Sequence, residues 1–121
     1  VSACSSASVV YEFDATPPAL ASATITNASP TNTTSYSLTY GAISGTYASY
    51  CIRENNTDSS GCTFTAGSLP ANFSVSATNN AKVLSIWLRD SAGNTSARID
   101  TNSVSLDTVA PALASATITN A

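Results

Sequence analysis

The eleven residues PALASATITNA occur at positions 18–28 and again at 111–121, a spacing of 93 residues. The correspondence extends upstream of each copy: Asp14 aligns with Asp107, Phe13 with Leu106, and Thr16-Pro17-Pro18 with Val109-Ala110-Pro111. An internal period of this kind marks a repeat architecture, and it sets the size of the folding unit before any element is assigned. A unit of 93 residues can bury a core without metal ions or several cross-links. The expected division is the last strand of a preceding repeat at residues 1–13, one complete domain at 14–107, and a linker with the first strand of the next repeat at 108–121. The chain then reads as a piece of a tandem array.

The polar residues are mostly Ser, Thr and Asn, and they alternate with Val, Ile, Leu and Tyr. That pattern suits half-buried strands and is weak in helices. Turn residues divide the unit into about seven short strands, the arrangement of an all-β sandwich with antiparallel strands. Residues 20–26 place Ala21, Ala23 and Ile25 on one face, and residues 35–40 do the same for Tyr36, Leu38 and Tyr40. In residues 46–53, Tyr50 and Ile52 oppose Cys51; from Asn72 onward, Phe73, Val75 and Ala77 alternate inward. Residues 82–89 give the strongest strand, with Leu84, Ile86 and Leu88 on one face and Val83, Ser85 and Trp87 on the other. Along residues 96–106 the apolar face changes parity between Ile99 and Val104, which calls for a bulge at 100–103.

Only 9% of residues are charged, the net charge is -3, and Lys82 is the single lysine. No basic patch exists to neutralise a phosphate backbone, so nucleic acid is not expected as a partner. The apolar runs fall far short of the roughly 20 residues that span a bilayer, and any export signal or anchor is expected outside this stretch.

Cys51 and Cys62 are separated by ten residues that include the turn-rich Asn55-Asn56-Thr57-Asp58-Ser59-Ser60-Gly61. A hairpin there brings the two sulfurs together as a disulfide and implies an oxidising compartment; the alternative is a pair of buried thiols. Cys4 is left over, with any partner upstream or on another chain.

Two stretches, SIWLRDSAGNTS at residues 85–96 and SLDTVAPAL at 105–113, carry an Asp-x-x-Gly-Asn hairpin and an Asp-Thr-x-x-Pro linker. Together they resemble the bacterial Ig-like repeats of large secreted surface proteins and adhesins. The resemblance covers residues 14–107, and it departs from the pattern at Ala15, where Thr108 stands in the second linker. It implies an immunoglobulin-like β-sandwich that acts as a structural link in an extended fibre on the bacterial cell surface, spacing a distal adhesive tip from the cell. Its partners would be neighbouring repeats of the same chain, with side-by-side or end-to-end self-association open. Antibody hallmarks are missing, since no cysteine shares a strand with Trp87 and no tryptophan shares one with Cys51.

By the same resemblance, Asp14, Asp90 and Asn94 are candidate calcium ligands at the domain joint. The competing reading makes residues 90–94 a tight turn, with Gly93 at positive φ and Asp90 bonding nearby amides.

The chain has no histidine, which excludes Ser-His-Asp and Cys-His relays and histidine metal sites, and no enzymatic activity is expected. Glu12, Glu54 and Asp58 offer carboxylates, but Glu54 and Asp58 fall in a polar loop and read as solvated charges rather than catalytic acids. Lys82 is the one donor for a Lys-Asn isopeptide cross-link of the kind some surface domains carry, weighed against an ordinary exposed lysine. Sequons stand at Asn27, Asn32, Asn55, Asn72 and Asn94, an abundance expected by chance in such a composition. Trp87, Tyr47 and Tyr50 invite a sugar-stacking patch, against the alternative that they pack beneath neighbouring strands. The rival functions are therefore a filament subunit assembled by strand exchange and a glycan-binding module.

Overall fold

The computed structural model describes residues 13–120 and is all-β, with no helix among them. The strands are β1 (Ala19–Leu20), β2 (Ala23–Ile25), β3 (Ser35–Tyr40), β4 (Ile43–Ser44), β5 (Ser49–Glu54) and β6 (Thr65–Ala66). They continue as β7 (Asn72–Ser74), β8 (Ala81–Lys82), β9 (Leu84–Arg89), β10 (Ile99–Asp100) and β11 (Val104–Ser105). Every ladder between them is antiparallel.

One layer has the order β2-β3-β7 and the other β10-β9-β5-β6, with the short pairs β1-β4 and β8-β11 extending them. The core lies between the layers. Ile25, Tyr36, Leu38 and Val75 meet Leu84, Val104 and Leu106 in one half, while Leu20 and Ala23 meet Ile86 and Leu88 in the other. The three leucine and isoleucine positions of β9 are fully buried, each contributing about 1.5–3 kcal/mol of apolar burial. Alternation along β3 and β9 therefore folds as the sequence reads, because one face of each strand must meet the opposite layer.

The first strand departs from its expected face. Leu20, Ala23 and Ile25 are buried, whereas Ala21 is exposed. β1 and β2 keep one register against β3 and β4, with Ala23 opposite Tyr40 and Leu20 opposite Ile43. Between them Ala21 and Ser22 leave regular strand geometry while their backbones still bond to Ala42 and Gly41, and the inward face shifts there from Ala23 to the larger Leu20 in place of Ala21. A Cβ on Gly41 would press against the Ser22 hydroxyl and lie close to the Ser22 amide, so glycine suits this close crossing. The inward alternation after Asn72 likewise stops at Val75, and Ala77 is exposed.

The last strand carries the expected bulge. Asp100 pairs with Ser85 and Val104 with Lys82, so one extra residue is absorbed between them. Thr101 Oγ1 accepts from the Leu84 amide at 3.0 Å. Asn102, thrown sideways by the bulge, acts as a substitute strand: its Oδ1 accepts from the Ile25 amide at 2.7 Å and its Nδ2 donates to the Ile25 carbonyl at 3.1 Å. This side chain stitches the last strand to the first. Asn102→Ala should cost about 2 kcal/mol, since it strands two backbone groups at once; an unchanged urea midpoint would show that the stitch contributes nothing.

The strand expected at residues 1–13 lies outside the described residues except for Phe13, which is exposed. Residues 108–120 are exposed and have no regular secondary structure.

Candidate functional site

The two ends of the domain are built differently. The chain enters beside the turn that follows β9 and leaves at the far end of the strands, past β11. At the entry, the Asp90 amide donates to the Asn94 carbonyl at 3.0 Å and the Gly93 amide to the Asp90 carbonyl at 3.1 Å. Gly93 sits at φ +93°, where a side chain would be strained. This is the tight turn of the sequence reading, and it folds Asn94 back over Asp90.

Asn94 then closes a clasp. Its amide N–H donates to Asp90 Oδ1 at 2.8 Å, and its Nδ2 donates both to Asp90 Oδ2 at 2.9 Å and to the Asp14 carbonyl at 2.8 Å. The Asp14 carboxylate turns the entering chain by accepting from the Thr16 amide at 2.9 Å. Asp14, Asp90 and Asn94 thus meet where the chain enters. The Asn94 amide holds the Asp90 carboxyl below its ordinary range against the opposing effect of burial, with further help from the turn amides and Asp14.

The donor set fits calcium poorly. Asn94 points an NH2 group, not its oxygen, between Asp90 and Asp14, and two carboxylates with one carbonyl fall well short of the six to eight oxygens a calcium ion takes. No cluster of three His, Cys, Asp or Glu side chains forms among the described residues. The clasp is closed by hydrogen bonds.

The exit repeats the first turn. Asp107 Oδ1 accepts from the Val109 amide at 3.0 Å, as Asp14 does from Thr16 two residues on. Asn79 Oδ1 accepts from both the amide and the hydroxyl of Thr108, and the Asp107 amide donates to the Thr31 carbonyl.

Near the exit, the core contains an ion pair that the sequence reading placed at the surface. Lys82 is fully buried, and its Nζ donates to Glu54 Oε2 at 3.0 Å and to Ser76 Oγ at 2.8 Å. Glu54 also accepts from the Ser76 amide at 2.6 Å and from the Ser76 hydroxyl. Burial works to raise the Glu54 carboxyl, but the Ser76 hydroxyl and amide and Lys82 together hold it below its usual range. Lys82 is therefore no ordinary exposed lysine and Glu54 no solvated charge. The polar atoms on Nζ belong to Glu54 and Ser76, so an isopeptide bond has no asparagine acceptor there. Parity held the signal: Lys82 shares the face of Leu84 and Ile86, and Glu54 shares that of Tyr50 and Ile52.

Cys51 and Cys62 form the expected disulfide, with Cα atoms 5.9 Å apart. Cys51 stands opposite Trp87 in the β5–β9 ladder, and both are buried. Tyr47 and Tyr50 instead pack on the inner cluster with Ile86 and Leu88. The sugar-stacking patch is thereby ruled out as grouped, because the pleat sends Trp87 and Tyr50 to opposite faces. Asp58 stays in the exposed loop and accepts from the Ser60 amide and hydroxyl. Cys4 and Glu12 lie outside the described residues.

No family model, curated protein or solved structure matches this chain.

Proposed function

We propose that the domain is an Ig-like structural link in an extended extracellular surface array, one that spaces a distal binding tip from a bacterial cell. The observation that carries this reading is the pair of matching aspartate turns, Asp14 with Thr16 and Asp107 with Val109, at opposite ends of the strands. Units joined through such turns follow one another in line, and the sequence supplies the second turn 93 residues after the first. The clasp of Asn94 on the Asp14 carbonyl then fixes each unit to its incoming linker. An Asp107 in the same position would be held by Asn94 of the following unit. Such a link needs no catalytic group, and the disulfide suits an oxidising, extracellular setting.

The test is a chain of two complete units, studied by limited proteolysis, small-angle scattering and thermal melting. Stable fragments of about one repeat and an elongated particle are expected; a compact particle with no stable fragment would sink the reading. Calcium and chelator should leave the melting temperature unchanged, while Asp90→Ala lowers it and shortens the particle. Asn94→Asp replaces the NH2 donor by a third carboxylate, and this variant should gain a calcium response. A calcium-dependent rise in the parent would show that the joint holds an ion after all.

A further inference from the structure

Trp87 belongs to the outer face of its layer, yet only 4% of it is exposed. The cover is the loop between β5 and β6. Asn55 opens that loop at φ +48°, the left-handed region that asparagine tolerates, and is bolted to the neighbouring strands. Its amide donates to the Val83 carbonyl, its Oδ1 accepts from the Val83 amide at 2.8 Å, and its Nδ2 donates to the Ala81 carbonyl at 3.0 Å. From there the loop reaches Arg98, just before β10, which donates to the Thr57 carbonyl at 3.4 Å, and it returns over β5, where Cys62 is joined to Cys51. Because β9 lies between β10 and β5, the loop crosses it at Trp87, the residue opposite Cys51. Little else ties the crossing to the sheet. No side chain of residues 55–61 is hydrophobic, and the bonds of Asp58 to Asn56, Ser60 to Asp58 and Cys62 to Ser59 fold the segment into a turn of its own. The remaining clips, from Arg53 and Arg98 to the Asp58 and Thr57 carbonyls, are exposed and trade with water at small net gain.

We propose that residues 56–61 form a thiol-operated strap: an external dithiol opens the Cys51–Cys62 latch, the turn swings on Asn55, and Trp87 is bared on a sandwich that stays folded. Cys62 is partly exposed and Cys51 buried, so the attacking thiolate meets the Cys62 sulfur. A mixed disulfide forms there and the Cys51 thiolate leaves and takes up a proton. The second thiol of the reductant then attacks the mixed disulfide, closes its own disulfide and releases Cys62 as a thiol. Two electrons and two protons pass from the dithiol to the protein. Beyond the latch the chain stays in place, because the Arg89 guanidinium lies 3.7 Å over the Phe64 ring and β6 remains paired with β5. Opening therefore presents an aromatic surface that the oxidised domain withholds. The device is independent of the array reading, which survives its failure.

Trp87 is the sole tryptophan, so its fluorescence reads the strap directly. In the full chain, dithiothreitol should move the emission maximum to longer wavelength and raise acrylamide quenching several-fold, while a cooperative melt persists at a lower temperature. Reoxidation should restore the covered state. Cys51→Ala/Cys62→Ala should show the same bared tryptophan without reductant, and Arg98→Ala, which removes a clip and keeps the latch, should leave it covered when oxidised. Three results overturn the proposal: a tryptophan still protected in the folded, reduced protein, a tryptophan bared in oxidised Arg98→Ala, or exposure that comes only with loss of the cooperative melt.

Discussion

Glu54→Ala is expected to lower stability by about 3 kcal/mol, because it leaves the Lys82 ammonium buried with only the Ser76 hydroxyl for company. Lys82 has no exposed surface, while the Glu54 side chain keeps about a fifth of its own, which sets the effect at the low end for a broken buried pair. In a domain of this size the melting temperature should fall by roughly 15 °C. Replacing both partners, as in Glu54→Leu/Lys82→Met, should restore most of the loss, since no lone charge then remains inside. The pH dependence carries a definite sign. A carboxyl held below its unfolded value of about 4.3 adds stability that is present above that value and lost as pH falls through the folded one. Acid titration should therefore unfold the parent progressively below that range, and Glu54→Ala should show a shallower acid limb. Asp90, lowered by Asn94, adds to the same limb. Thermal melts of the variants across pH decide the point: a Glu54→Ala protein that melts within a degree or two of the parent would mean that the pair contributes nothing.

Reduction of Cys51–Cys62 should cost roughly 3 kcal/mol, the loop-closure entropy for a bridge of this span. The bridged cysteines are 11 positions apart and close a single hairpin, from β5 to the return strand β6. The loss should appear as a lower urea midpoint with reductant, matched by Cys51→Ala/Cys62→Ala without it. Arg53 also holds this loop, its Nη1 donating to the Asp58 carbonyl at 2.5 Å. The reduced protein should retain its sheets, because Cys51 ties its own hairpin and not the two layers to each other. Loss of all cooperative unfolding on reduction would contradict that local role.

Much of the architecture was legible in the alternation of residues. The inward faces of residues 35–40 and 82–89, the local disulfide and the one-residue bulge after Asp100 all follow from parity and turn chemistry. The misreadings came where residue type was allowed to outweigh parity. Lys82 and Glu54 sit on inward faces by position, yet their charge assigned them to solvent. Trp87 and Tyr50 were grouped as aromatics although alternation sends them to opposite sides of the sheet. The shift of face at Ala21-Ser22 and the Asn102 stitch were not legible, because each depends on contacts with residues far away in sequence: Gly41 for the first and Ile25 for the second. At the entry end, the meeting of Asp14, Asp90 and Asn94 follows from the sequence reading. What closes it does not, since sequence alone does not say which atom of an asparagine amide faces inward.

The stitch at Asn102 also bears on force. The first strand leaves the entry end and the last strand arrives at the exit end, both running the same way, and Thr31 pairs with Leu106 in a parallel bridge between them. A pull along the chain, at Asp14 and Asp107, drags these two segments past each other rather than peeling one away. The bonds between Asn102 and Ile25, and those joining Thr31 to Ser105 and Asp107, therefore lie across the direction of sliding and must break nearly together. The domain is placed to resist tension by shear.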